Sequence, residues 1–242
     1  METSALAPSV SDRYCRIAAP LHTILVLAAE GILAFSGKIR ADHVRTVLDV
    51  DRIALYERTM LFEWLTFALV ILGVRLHGTP LLTVLGDRWH SVRQVLKDVG
   101  IALAFWIGST LVVSIFGSHT QRAASDRAVQ FLLPQGGVEI SMWILLSVTA
   151  GICEETVFRG YLQRQFMALT KSVPIGILLS AVAFGAAHSY QGLAGAARIG
   201  LQGALLGILA NWRKSVRPGM IAHAWGDAFA GALARLLKIR VG

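Results

Sequence analysis

The sequence predicts an all-α protein, a polytopic transmembrane helical bundle of about seven spans, or eight if one amphipathic segment also enters the membrane. The 242 residues are 55% hydrophobic and only 16% charged, with a mean hydropathy of +0.59, whereas an ordinary soluble domain carries about a quarter charged residues. The apolar residues also come in blocks long enough to cross a bilayer, which takes about 20 residues as a helix. Each block reads as helix because an open strand leaves backbone groups unpaired in lipid.

Seven blocks can be read: Ile17 to Ser36, Thr59 to Leu76, Val99 to Phe116, Ile140 to Tyr161, Val173 to His188, Leu193 to Trp212 and Met220 to Leu237. The first has a long leader, contains Glu30 and lacks an Ala-x-Ala exit before Gly37, so it is expected to stay as an anchor. Lys38 to Arg58 mixes charges with Val44, Val47, Leu48, Ile53, Ala54 and Leu55, a pattern that suits an interfacial amphipathic helix. Gly117 to Val138, with Pro134 and the Gly136-Gly137 pair, reads as a loop. It separates N-terminal helices and loops, residues 1–138, from a motif-rich core, residues 139–242, within one membrane domain.

Cys15 and Cys153 lie far apart in or beside apolar segments, which gives no support to a disulfide framework or a cysteine metal site. The net charge of +8 comes from basic residues scattered between apolar blocks. That distribution suits loops facing anionic headgroups and argues against nucleic-acid binding. The positive-inside rule comes close to a tie, leaving orientation open. Expected partners are the lipid bilayer and a membrane-associated protein or peptide; oligomeric state is not legible.

Chemistry concentrates in three places. Block four contains Gly151-Ile152-Cys153-Glu154-Glu155-Thr156-Val157-Phe158-Arg159, two adjacent carboxylates deep in an apolar run. Ionisable groups at that depth usually face a bundle interior or a wet cavity. Glu155 and Arg159 stand at i and i+4 on one face and read as an ion pair. Glu154, about 100° around the helix, has no base at i+3 or i+4 and needs a partner elsewhere. Block five ends in Phe184-Gly185-Ala186-Ala187-His188, and a helical hairpin turning near Lys171 to Ser172 puts His188 at the depth of Glu154. A lone histidine at a helix end is more often interfacial than catalytic; the depth match to an unpaired glutamate is what singles it out. Block seven carries His223-Ala224-Trp225-Gly226-Asp227, with His223 and Asp227 one turn apart. These two can satisfy each other as helix glue, or Asp227 can hold His223 in one tautomer so that its other nitrogen meets a reacting oxygen.

Glu-Glu-x-x-x-Arg, Phe-x-x-x-His and His-x-x-x-Asp, in this order on late membrane blocks, resemble the motif set of the CPBP family, which includes the type II CAAX prenyl endopeptidases and bacterial immunity and processing proteins. The resemblance covers roughly residues 139 to 242 and implies a metal-free, cofactor-free glutamic intramembrane endopeptidase acting on a membrane-associated or lipid-bearing substrate. It implies that Glu154 activates water, that His188 also holds that water, and that His223 with the residue four further on stabilises the oxyanion. A carboxylate in a poorly solvated pocket is a better general base near neutral pH, and an imidazole donor can stabilise a tetrahedral oxyanion. Where the prenyl endopeptidases carry asparagine this sequence has Asp227; an ionised aspartate only accepts hydrogen bonds, so orienting His223 suits it better than direct oxyanion contact. Two alternatives stay open: a non-catalytic scaffold or immunity member of the same family, and a zinc protease using Glu154, His188 and His223. In a bacterium the expected location is the inner membrane. Gly203 and Gly207, with Ala196 and Gly200 at the same spacing upstream, allow close helix approach, either internally or in a dimer. Glu30 and Glu63 are expected to be structural hydrogen-bonding groups.

Overall fold

The computed structural model describes residues 14–44, 50–115 and 132–236, and among these every regular element is helical. Eight helices follow in order: α1 (Pro20–Val44), α2 (Arg52–Leu76), α3 (Leu81–Leu85), α4 (Val92–Ile115), α5 (Gly137–Thr170), α6 (Val173–Ala187), α7 (Gly192–Arg213) and α8 (Arg217–Leu236). All but the five-residue α3 correspond to the seven predicted blocks. Five of them, α1, α2, α4, α5 and the helix at Ser189–Arg213, are long and apolar enough to cross a membrane, and the chain is an integral membrane protein.

Two blocks fall short of that standard for different reasons. The 15 residues of α6 span about 22 Å against a hydrocarbon core of about 30 Å. The 20 residues of α8 are diluted by Gly219, His223, Gly226, Asp227 and Gly231. Both carry residues of the candidate site. The Lys38 to Arg58 segment differs from the expected interfacial helix: its first part prolongs α1 to Val44 and its last part opens α2, which Asp51 caps by accepting from the Ala54 N–H at 3.0 Å. Residues 45–49 of that segment, like 116–131 of the expected loop, lie outside the described residues.

The α5–α6 turn forms where expected. Lys171 adopts the left-handed conformation (φ 53°) that ends α5, and the Ser172 hydroxyl caps α6 by accepting from the Ile175 N–H. α5 is interrupted by a stretch of π-helix over Glu155–Leu162, where the Gln163 N–H reaches back to the Phe158 carbonyl. All eight residues of the stretch are buried, and such π turns often occur at functional sites. The core gathers around it: Val26 from α1, Val70 and Val74 from α2, Val84 from α3, and Phe184 from α6 pack against Val157, Phe158, Tyr161 and Leu162.

Glycines let the inner helices close on this stretch. A Cβ at Gly203 would lie 2.9 Å from Arg159 Nη2, and one at Gly207 would lie 2.5 Å from Gln163 Oε1. Gly185 and Gly200 meet where α6 crosses α7. The Ala196, Gly200, Gly203 and Gly207 set therefore serves internal packing. Gly207→Leu is expected to destabilise the fold by about 1–3 kcal/mol, seen as a lower melting midpoint in detergent; a change in oligomeric state without a change in melting would mean that the glycines face a second copy instead.

Candidate active site

Glu155 and Arg159 pair as the spacing predicts. Arg159 Nη1 donates to Glu155 Oε1 at 2.8 Å, with side-chain exposures of 1% and 0%. The guanidinium also lies 4.1 Å from the centre of the Phe184 ring, a favourable cation–π contact where water is excluded. The same Glu155 oxygen accepts a second bond from α8, from His223 Nδ1 at 3.1 Å. Close approach of the helices makes this bond possible: a Cβ at Gly151 would lie 2.7 Å from the Met220 carbonyl, and one at Gly219 would lie 3.0 Å from Glu155 Oε2.

With Nδ1 bound to a carboxylate, the other ring nitrogen of His223 faces the remaining acids. Nε2 lies 3.5 Å from Asp227 Oδ2 and 3.7 Å from Glu154 Oε2. Glu155 therefore makes the shorter contact and orients the ring, while Asp227, whose side chain is 47% exposed, stands at the other nitrogen. This assignment differs from the sequence expectation because i, i+4 spacing within α8 is visible in the sequence and the approach of α5 is not. Asp227 is itself anchored through its backbone carbonyl, which accepts from Trp143 Nε1 at 2.7 Å.

His188 closes α6, and its Nδ1 donates to the Phe184 carbonyl at 2.9 Å. That bond leaves Nε2 free of the proton and able to accept from water. The His188 ring stacks edge-on to Phe184 with centroids 4.8 Å apart, and Phe184 in turn meets the His223 ring at 6.1 Å. One aromatic side chain thus positions both imidazoles and the Arg159 guanidinium.

Glu154, His188, His223 and Asp227 all line a single cavity of about 260 Å³. Its other walls come from the second half of α1 (Glu30 to Ala41) and the first half of α2 (Leu55 to Thr66). It extends toward the bundle end that holds Leu132, whose carbonyl accepts from the Tyr56 hydroxyl. Glu154 Oε2 is buried there without a hydrogen-bond partner, as is Glu63 Oε2. Glu30 and Glu63, for which a structural role was the default expectation, face the same cavity as the motif residues. The signal for them was present in the sequence, since an ionisable residue inside a membrane span is a functional candidate by default.

For the zinc alternative, no three His, Cys, Asp or Glu side chains among the described residues converge as a metal-ligand set. Cys15 and Cys153 are free thiols, Cys153 lying in the cavity wall. The site holds a poorly solvated carboxylate oxygen, an imidazole hydrogen-bonded through Nδ1 and a second imidazole set among carboxylates, groups that can take part in acid–base chemistry.

Comparison with curated proteins and with solved structures gave no match. Comparison with protein families matched residues 136–229 to the type II CAAX prenyl endopeptidase Rce1-like family. The matched segment opens at the start of α5 and closes just beyond Asp227, so it contains all seven motif residues and leaves out α1 to α4. Over this segment the chain is similar to the type II CAAX prenyl endopeptidases.

Proposed function

We propose that the protein is a glutamic intramembrane endopeptidase that hydrolyses a peptide bond of a membrane-associated or lipid-bearing substrate. The observation that carries this reading is Glu154 Oε2, shielded from solvent and without a hydrogen bond, in the same cavity as His188 and 3.7 Å from His223 Nε2. Glu154 takes a proton from a water molecule that His188 Nε2 also holds, and the hydroxide adds to the scissile carbonyl. The proton then passes to the departing amine. His223 stabilises the oxyanion through Nε2 when the ring carries both protons, and carboxylate oxygens at 3.1, 3.5 and 3.7 Å from its nitrogens balance that charge. Glu155 and Arg159 hold His223 in place. Residues 139–242 supply the reacting groups, residues 1–138 supply the opposite cavity wall, and in a bacterium the enzyme would sit in the inner membrane.

The test is a proteome comparison of cells carrying the wild-type chain or Glu154→Ala at equal abundance, searching for an unprocessed membrane-bound precursor. A scaffold or immunity protein would keep its phenotype in the variant. Metal-free catalysis also predicts that turnover survives chelation of divalent ions; inactivation reversed specifically by zinc would make the two histidines ligands.

Asp227 gives a finer test. Asp227→Asn is expected to retain turnover, because the amide offers both an acceptor for a protonated His223 and a donor for the oxyanion. Asp227→Leu should lose roughly tenfold or more, the usual loss when a partner that orients a reacting group is removed, with Glu155 still holding Nδ1. Equal loss in both variants, measured at matched membrane abundance, would mean that the negative charge itself takes part in proton transfer.

A further inference from the structure

Acidic side chains outnumber lysine and arginine in the cavity wall. Glu30, Glu63, Glu154 and Asp227 line it, and Arg40 is the one lysine or arginine in its wall among the described residues. Arg40 lies ten residues beyond Glu30 on α1, about 15 Å along the axis, with its guanidinium 5.7 Å from the centre of the Phe62 ring. Arg159, the nearest strong base to the motif glutamates, is committed to Glu155. Glu63 lines the same cavity as Glu30, Glu154, Asp227 and His223. Its Oε2 is sealed from solvent and has no hydrogen-bond partner. A buried carboxylate in that position either holds a proton or receives a cation from outside, because an isolated charge in a poorly solvated site is costly.

We propose that Glu63, with Glu30 beside it, forms a cation-binding subsite that selects substrates carrying a lysine or arginine side chain close to the scissile bond. This rests on the endopeptidase reading and adds a specificity determinant outside the family-matched segment. The cavity suits such a side chain. Its lining is mostly apolar, with Leu33, Ala34 and Phe62 flanking the two glutamates, so an aliphatic stem can lie along the wall while its charged end meets carboxylate oxygens. A charge pair formed away from water is short and strong, and a substrate lacking the cation leaves a buried acceptor unmatched.

The experiment uses the full chain in lipid nanodiscs and pairs of membrane-anchored peptides that differ only by lysine or norleucine at each position flanking the cleaved bond. At one position the wild type is expected to prefer lysine by about tenfold or more in kcat/KM, mainly through KM. That ratio should fall to near one in Glu63→Gln and shrink in Glu30→Gln. A ratio near one at every position in the wild type, or an unchanged ratio in both variants, overturns the subsite; the second result would mean that Glu63 simply holds a proton. Anisotropy of labelled peptides with an N-methylated scissile bond gives the same ratio as binding alone. If neither peptide is cleaved but lysine still binds preferentially through Glu63, the endopeptidase reading fails and the subsite stands. If Glu63→Gln does not fold, Glu30→Gln and the wild-type ratio decide the matter.

Discussion

Glu154→Ala is expected to lower turnover by about 10²- to 10⁴-fold, the range for loss of a positioned general base, while leaving the melting midpoint of the protein nearly unchanged. The dissociation of activity from folding follows from the geometry. Glu154 Oε2 has no hydrogen-bond partner, and its nearest imidazole nitrogen lies 3.7 Å away. Removing a buried acceptor that makes no hydrogen bond takes away little stabilisation and relieves a desolvation cost. Glu154→Gln should behave alike, since it keeps the shape and removes the base. The measurement is processing of one identified precursor at matched membrane abundance, alongside a thermal melt in detergent. Turnover within threefold of wild type in both variants would remove Glu154 from the chemistry and favour a scaffold.

What was legible in the sequence was local. The α5–α6 turn is marked by the polar Lys171-Ser172 pair between two apolar runs, and the Glu155–Arg159 pair by i, i+4 spacing; both formed as read. The order of the three motifs pointed to the same family that residues 136–229 match. Contacts between elements distant in sequence were not legible. That His223 bonds Glu155 depends on how closely α8 approaches α5 at Gly151 and Gly219, and no periodicity within either helix encodes that distance. The π stretch was hidden as well, because Glu155–Leu162 contains the same apolar and polar residues that an α-helix would accept. That Glu30 and Glu63 share a cavity with Glu154 and Asp227 was not legible either, because the sequence shows each as a single acid in its own apolar block.

Arg159→Met is expected to be among the most destabilising single changes in the chain, by about 3–5 kcal/mol, the cost of breaking one side of a buried ion pair. Glu155 has no exposure and its Oε2 has no partner even in the wild type, so after the substitution Oε1 retains only the His223 contact. Methionine fills much of the space but loses the stacking on Phe184 that also positions both imidazoles. Glu155→Gln should be milder for folding, since an amide oxygen still accepts from both Arg159 and His223, and it should lower the yield of folded protein at least as much as turnover per folded molecule. The double variant Glu155→Gln with Arg159→Met should recover part of the loss, because the buried charge that Arg159→Met leaves without its guanidinium is gone. The check is a double-mutant cycle of melting midpoints and folded yields in one detergent. If Arg159→Met melts with the wild type while activity disappears, the arginine acts on the substrate, and the Glu155–Arg159 pair belongs to the chemistry and not to the fold.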